Sequence, residues 1–174
     1  NAGIASNLRL GRLTIGGNFA YQEDNISGQQ LYTTRGLTYA ANASMPITEK
    51  LSASFNYNGF SQRQYDGTAQ VVDSTRIDRN MNSYTGTASY NTNTETLGHG
   101  VSLTANYSIN EDNNRTTAGA DDVGTLAAGA SYSLSVVPIE TNFGFNYSYQ
   151  MSDGYDSKYT TSVYTLSASK AFLK

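Results

Sequence analysis

Hydrophobic and polar residues alternate along most of the chain. Residues 140–151 read Glu-Thr-Asn-Phe-Gly-Phe-Asn-Tyr-Ser-Tyr-Gln-Met, so Phe143, Phe145, Tyr147, Tyr149 and Met151 share one parity and Asn142, Gly144, Asn146, Ser148 and Gln150 the other. A period of two is that of a β-strand, whose successive side chains point to opposite faces. The same test sets Val101, Leu103, Ala105, Tyr107 and Ile109 against Ser102, Thr104, Asn106, Ser108 and Asn110. It separates Leu51, Ala53, Phe55 and Tyr57 from Ser52, Ser54, Asn56 and Asn58, and Leu126, Ala128, Ala130, Tyr132, Leu134 and Val136 from Thr125, Ala127, Gly129, Ser131, Ser133 and Ser135. Weaker alternation around 13–21, 37–45, 84–90 and 164–172 predicts four more strands, eight in all. No window repeats at 3.6 residues with helix caps, and Pro46 and Pro138 sit where a strand should stop.

The connections differ in character. Segments 45–50, 93–100 and 137–140 read as short turns, whereas 22–30, 61–80, 111–121 and 152–158 are longer and polar. Short and long then fall on opposite ends of an antiparallel up-and-down meander.

Composition narrows the environment of these strands. The 174 residues (18.8 kDa) suit one domain, 1–174, and only 14% are charged, against about 25% in ordinary soluble proteins. With 11 basic and 14 acidic residues the surface is not cationic, so nucleic acid is not an expected partner. There is no cysteine, which excludes thiol chemistry and cysteine metal sites. No apolar run reaches the roughly 18–20 residues of a membrane helix. Of the charged residues, only Arg9, Arg12, Arg35 and Lys170 fall within predicted strands, whereas a strand face in water normally carries Lys and Glu.

A soluble β-sandwich uses strands of about 5–6 residues, and a membrane-crossing strand needs about 9–11. The predicted lengths favour the membrane, where every strand needs two neighbours because hydrocarbon supplies no hydrogen bonds. The expected fold is therefore all-β, an antiparallel up-and-down transmembrane barrel. Its lipid-facing set is Leu13, Ile15, Phe19, Leu37, Tyr39, Phe55, Tyr57, Tyr84, Leu103, Tyr107, Leu126, Tyr132, Phe143, Phe145, Tyr147, Tyr149, Tyr164 and Leu166. Its lumen-facing set is Thr14, Asn18, Asn42, Ser54, Asn56, Thr85, Thr87, Thr104, Asn106, Ser131, Ser133, Asn142, Asn146, Ser148, Thr165 and Ser167. Aromatic residues gather towards both ends of the apolar parity: Tyr21, Tyr57, Tyr84, Tyr107, Tyr149 and Tyr164 near the long connections, and Tyr90, Tyr132, Phe143 and Phe172 near the short ones.

Alternating strands such as 142–151 and 101–110, the asymmetry of turns and loops, and the aromatic belts make the chain resemble bacterial outer-membrane β-barrel proteins, porin-like or of the small-barrel kind. The resemblance runs from about Arg9 to Leu173 and is architectural. It implies an outer-membrane location, periplasmic turns holding Pro46, His99 and Pro138, an external 61–80 loop, and the bilayer with its outer-leaflet lipid as partner, alongside other outer-membrane subunits. Many such barrels end on an aromatic residue, whereas Phe172 is followed here by Leu173 and Lys174. Eight strands with a narrow hydrated interior and a segment of a larger barrel both remain open, since the small Ser, Thr, Asn and Gly lining fills an eight-stranded interior poorly. A complete barrel would pair strand 13–21 antiparallel with strand 164–173, bringing Ile15 near Leu166. The expected function is a passive pore or a membrane component of a transport assembly, with a structural or adhesive barrel that binds a surface partner through its loops as the alternative.

Candidate chemistry is sparse, and no enzyme activity, cofactor or metal is expected. His99 is the only histidine and reads as an exposed turn residue, with no partners for a triad or metal site. The acids Glu23, Asp24, Asp66, Asp73, Asp78, Glu111, Asp112, Asp121, Asp122, Asp153 and Asp156 lack calcium-loop spacing and read as solvated loop groups. Arg63, Arg76, Arg79 and Arg115 share those loops and read the same way, with contact to anionic sugars or phosphates as the lesser alternative, and Arg9, Arg12 and Lys170 read as interfacial snorkelling groups. The glycosylation sequons at Asn25, Asn42, Asn106, Asn114 and Asn146 are chance matches, three of them inside strands.

Overall fold

A computed structural model describes residues 2–24, 32–66, 77–112, 122–154 and 157–170. They form nine strands: β1 (Ala2–Leu10), β2 (Leu13–Glu23), β3 (Tyr32–Pro46), β4 (Leu51–Asp66), β5 (Asp78–Asn93), β6 (Leu97–Asp112), β7 (Val123–Val136), β8 (Thr141–Asp153) and β9 (Lys158–Lys170). Each strand pairs antiparallel with the next, giving one sheet in the order β1 to β9. The all-β meander is as expected; the strand count is not. β1 escapes the alternation test because Ser6 interrupts its apolar parity and Gly3 and Ala5 give the other parity no polar character.

The extra strand changes the closure of the sheet. β2 is flanked by β1 and β3, so strand 13–21 has no edge to offer strand 164–173, and Ile15 lies opposite Leu8 and Ala43. The edges belong to β1 and β9, which are not paired with each other. Nine strands in strict alternation also leave β1 and β9 running in the same direction.

Strands outlast their predicted ends. β4 runs to Asp66 and β6 to Asp112, absorbing much of what reads as loop. β6 starts at Leu97, so His99 is a strand residue opposite Thr92 and Leu134 rather than a turn residue. The 152–158 connection shrinks to residues 154–157, closed by the Gly154 N–H donating to the Ser157 carbonyl at 3.1 Å. Arg12 lies in the hairpin turn between β1 and β2, beside Gly11 at φ 61, the left-handed value that a two-residue turn takes at its first central position. Between β3 and β4 the Thr48 hydroxyl accepts the Lys50 and Leu51 N–H groups at 3.2 and 3.0 Å. Pro138 sits in a single 3-10 turn, Val137–Ile139, before β8.

Residues directly opposed in an antiparallel pair lie on the same face, so the register can be followed as rows. One row joins Ser6, Gly17, Ala41, Tyr57, Tyr84, Tyr107, Leu126, Met151 and Thr160 across all nine strands. The adjacent row on the other face joins Asn7, Gly16, Asn42, Asn56, Thr85, Asn106, Ala127, Gln150 and Thr161. No register slip interrupts the two-faced pattern.

The described residues form no second layer over the sheet. Among the described residues no large side chain is fully buried, and Leu166 and Ile4 are 81% and 72% exposed. The surface totals 11894 Å², against about 8300 Å² for a compact soluble protein of this mass. Each large apolar side chain left in water forgoes about 1.5–3 kcal/mol, so exposure of this face to water is costly.

Two glycines test how the apolar face is built. Tyr39 lies across Gly59, where an added Cβ would come within 1.9 Å of its ring, while a Cβ at Gly86 would meet nothing within 4 Å. Gly59→Ala should therefore cost about 1–3 kcal/mol of stability. Gly86→Ala should cost less than about 0.5 kcal/mol. Denaturant midpoints of the detergent-folded protein, followed by far-UV circular dichroism, check this, and equal midpoints would count against the seating of Tyr39.

Candidate functional site

The sheet's two faces are the candidate site, because they gather nearly all its chemistry. Strand pairing places every member of the predicted lipid-facing set, from Leu13 to Leu166, on one face, and every member of the predicted lumen-facing set, from Thr14 to Ser167, on the other. β1 adds Ile4, Leu8 and Leu10 to the apolar face, opposite Phe19, Ile15 and Leu13. These three share a parity, which is the signal that would have found them.

On the apolar face a tyrosine row crosses β3 to β6. Ring centroids are 5.8 Å apart for Tyr39 and Tyr57, 4.9 Å for Tyr57 and Tyr84, and 6.4 Å for Tyr84 and Tyr107. The Tyr57 hydroxyl donates to Asn82 Oδ1 at 2.8 Å and the Tyr39 hydroxyl to the same oxygen at 3.4 Å. Asn82 thus gives polar ends of amphipathic rings a partner within the mainly apolar face. Its parity breaks the alternation, so sequence alone does not assign it this role. Further along, Tyr147 stacks near Tyr164 at 4.8 Å, and the ring of His99 shares a 2.8 Å hydrogen bond with the Tyr132 hydroxyl through Nδ1.

The aromatic line does not follow the rows. Measured from the Tyr57 row, Tyr21 stands four residues towards the long connections and Tyr39 two; Tyr57, Tyr84 and Tyr107 lie on it; Tyr149 falls two residues and Tyr164 four towards the short turns. Eight residues over seven strand-to-strand steps, at about 3.4 Å per residue and 4.8 Å per step, make a slope of about 39°. The turn-side strand ends slope the same way. β2 starts four residues below the row at Leu13, β4 six below at Leu51, and β8 ten below at Thr141. Six residues over the six steps from β2 to β8 give about 35°.

The polar face carries amides and hydroxyls. Asn106 Nδ2 donates to Thr85 Oγ1 at 2.7 Å and to Ser83 Oγ at 3.1 Å, and hydroxyl pairs join Ser54 to Thr87 at 2.6 Å and Ser52 to Ser89 at 2.7 Å. This face carries the charges Arg9, Arg79 and Asp112, all near strand ends. Phe60 and Met81 face each other there near the long-connection end, where small polar groups were expected.

Many of the predicted loop charges sit instead on strand ends and pair across strands. Arg35 lies 3.4 Å from Glu23, Arg63 3.3 Å from Asp78, Arg79 3.3 Å from Asp112, and Lys158 3.2 Å from Asp153. Such partners depend on register, which the sequence does not display. Arg9 Nε donates to the Gly11 carbonyl at 3.3 Å and Arg12 to the Ile47 carbonyl at 3.4 Å, both at the short-turn end. Among the described residues no group of three or more His, Cys, Asp or Glu could hold a metal ion. Asp73, Arg76, Arg115, Asp121, Asp156 and Phe172, with the sequons at Asn25 and Asn114, lie outside the described residues.

No protein-family model matches the chain, and no curated protein matches it.

The Tyr57–Asn82 bond should be measurable. Asn82→Ala and Tyr57→Phe should each lower stability by about 1 kcal/mol, and a double-mutant cycle should return a coupling of about 0.5–1.5 kcal/mol. Strict additivity would mean that the bond does not hold the row together.

Proposed function

We propose that the chain forms wall of a transmembrane β-barrel of the bacterial outer membrane, with the apolar face against lipid and the polar face lining a hydrated interior that passively admits water or small solutes. The observation that carries this reading is the sloping aromatic line. Strands of membrane barrels tilt by about 35–45° from the barrel axis, so a belt level with the membrane surface must cross the hydrogen-bonded rows at that same angle. A slope of about 39° is what a level belt looks like when written on tilted strands. A soluble sheet has no membrane plane to hold its aromatic residues in line.

Three further features support the reading. The apolar face requires a cover that no other part of the described chain supplies, and hydrocarbon is such a cover. The polar face keeps its charges near the strand ends, leaving amides and hydroxyls in the middle. Connections at one end stay within residues 11–12, 47–50, 94–96 and 137–140, whereas three of the four at the other end span 24–31, 67–77 and 113–122. In this reading the short turns are periplasmic, as the family resemblance implies. Closure by antiparallel pairing takes an odd number of further strands between β9 and β1, and direct β1–β9 pairing would make a parallel seam.

Arginine placed on each face separates the two environments. Phe145→Arg should weaken folding into phosphatidylcholine vesicles by about 2–4 kcal/mol, and Asn146→Arg by about 1 kcal/mol or less, because only the first puts a charge in hydrocarbon. Folding is read by heat-modifiable gel migration and β-type circular dichroism. Equal penalties, or stable folding of the wild-type chain as a water-soluble monomer, would overturn the proposal.

A further inference from the structure

One row near the long connections holds Tyr21 of β2 and Leu37 of β3, followed by Ser61, Asn80 and Glu111 on β4, β5 and β6. The next row on the same face is charged throughout: Glu23, Arg35, Arg63 and Asp78 on β2, β3, β4 and β5. Its order of signs is unusual, because Arg35 and Arg63 are directly opposed, and like charges in that position repel. Alternating signs would have stabilised the row, and here the two cations occupy its centre. Each arginine turns its Nε outward along the row, Arg35 to Glu23 at 3.4 Å and Arg63 to Asp78 at 3.3 Å. A guanidinium carries four further N–H donors on its two terminal nitrogens. Glu23 is itself shared, since the Tyr21 hydroxyl also donates to it. Arg35 is held in place by the Tyr65 ring, 4.9 Å from its Cζ. Both side chains are about half exposed, 48% and 54%.

We infer that the opposed pair Arg35 and Arg63 binds the phosphate of a membrane lipid headgroup. The inference rests on the membrane reading of the apolar face, which puts this row where hydrocarbon gives way to headgroups. A phosphate between the two guanidiniums takes charge-assisted hydrogen bonds from both and removes their mutual repulsion. Lipid is favoured over a free anion because the pair stands on the same face as Tyr21 and Leu37, one row further out, so an acyl chain attached to the phosphate would continue onto apolar side chains. Arg79 is the natural control: it is at the same end of the sheet and paired with Asp112 at 3.3 Å, but it lies on the polar face.

The test is native mass spectrometry of the detergent-folded protein titrated with phosphatidic acid, with phosphatidylcholine as the comparison lipid. Wild type and Arg79→Gln should retain phosphatidic acid in preference to phosphatidylcholine, and Arg35→Gln with Arg63→Gln should lower that retention about tenfold. Unchanged retention in the double variant, or an equal loss in Arg79→Gln, overturns the inference. So does complete displacement of the lipid by millimolar inorganic phosphate, which would mark an ion site rather than a lipid site. Heat-modifiable migration of every variant is recorded alongside. A folded double variant that loses the lipid supports the inference, and a wild type that never folds in detergent or bilayer overturns the membrane reading itself.

Discussion

The structure depends on one constraint: strand pairing holds every residue of a single sheet to one of two unlike faces, one mainly apolar and one polar. Backbone hydrogen bonding builds the sheet, and each interior strand finds its partners on both sides. That pairing also fixes what the side chains do, since a one-residue slip in any strand would exchange its faces. Across eight successive pairings no slip occurs, and the result is a mainly apolar face that no helix or second sheet among the described residues covers. Everything read here about environment follows from that surface.

The slope of the aromatic line links register to environment. Within a row, residues are related only by hydrogen bonding. The tyrosines shift from four residues above the Tyr57 row at Tyr21 on β2 to four below it at Tyr164 on β9, with Tyr57, Tyr84 and Tyr107 level between them. The turn-side strand ends drift in the same direction, so the belt and the turns share that slope. In the proposed reading, a bilayer surface crossing tilted strands would give both the same angle.

Much of this was legible in the sequence, and what was not has a physical cause. Strong alternation in 101–110 and 142–151 identifies strands and faces because polarity there has a strict period of two. β1 is hidden because Gly3, Ala5 and Ser6 are small and fit either face. The strand ends are hidden because charged residues such as Arg63 and Asp78 read as loop until a cross-strand partner satisfies them, and the partner is set by register. Asn82 looks like an error in the pattern until Tyr57 and Tyr39 are seen to share its oxygen. The same limit applies to closure: alternation counts strands one at a time, while the directions of the two edges depend on the total, which one missed strand alters.

The central claim is that the apolar face lies against lipid, and a nitroxide scan along β8 in phospholipid vesicles tests it most directly. Spin labels placed singly from Phe143 to Met151 report collision with oxygen, which concentrates in hydrocarbon, and with a water-soluble nickel complex. The account predicts a period of two, with oxygen accessibility highest at Phe143, Phe145, Tyr147 and Tyr149 and nickel accessibility highest at Gly144, Asn146 and Ser148. High nickel accessibility at Phe145 and Tyr147 in the folded, vesicle-bound protein would contradict it.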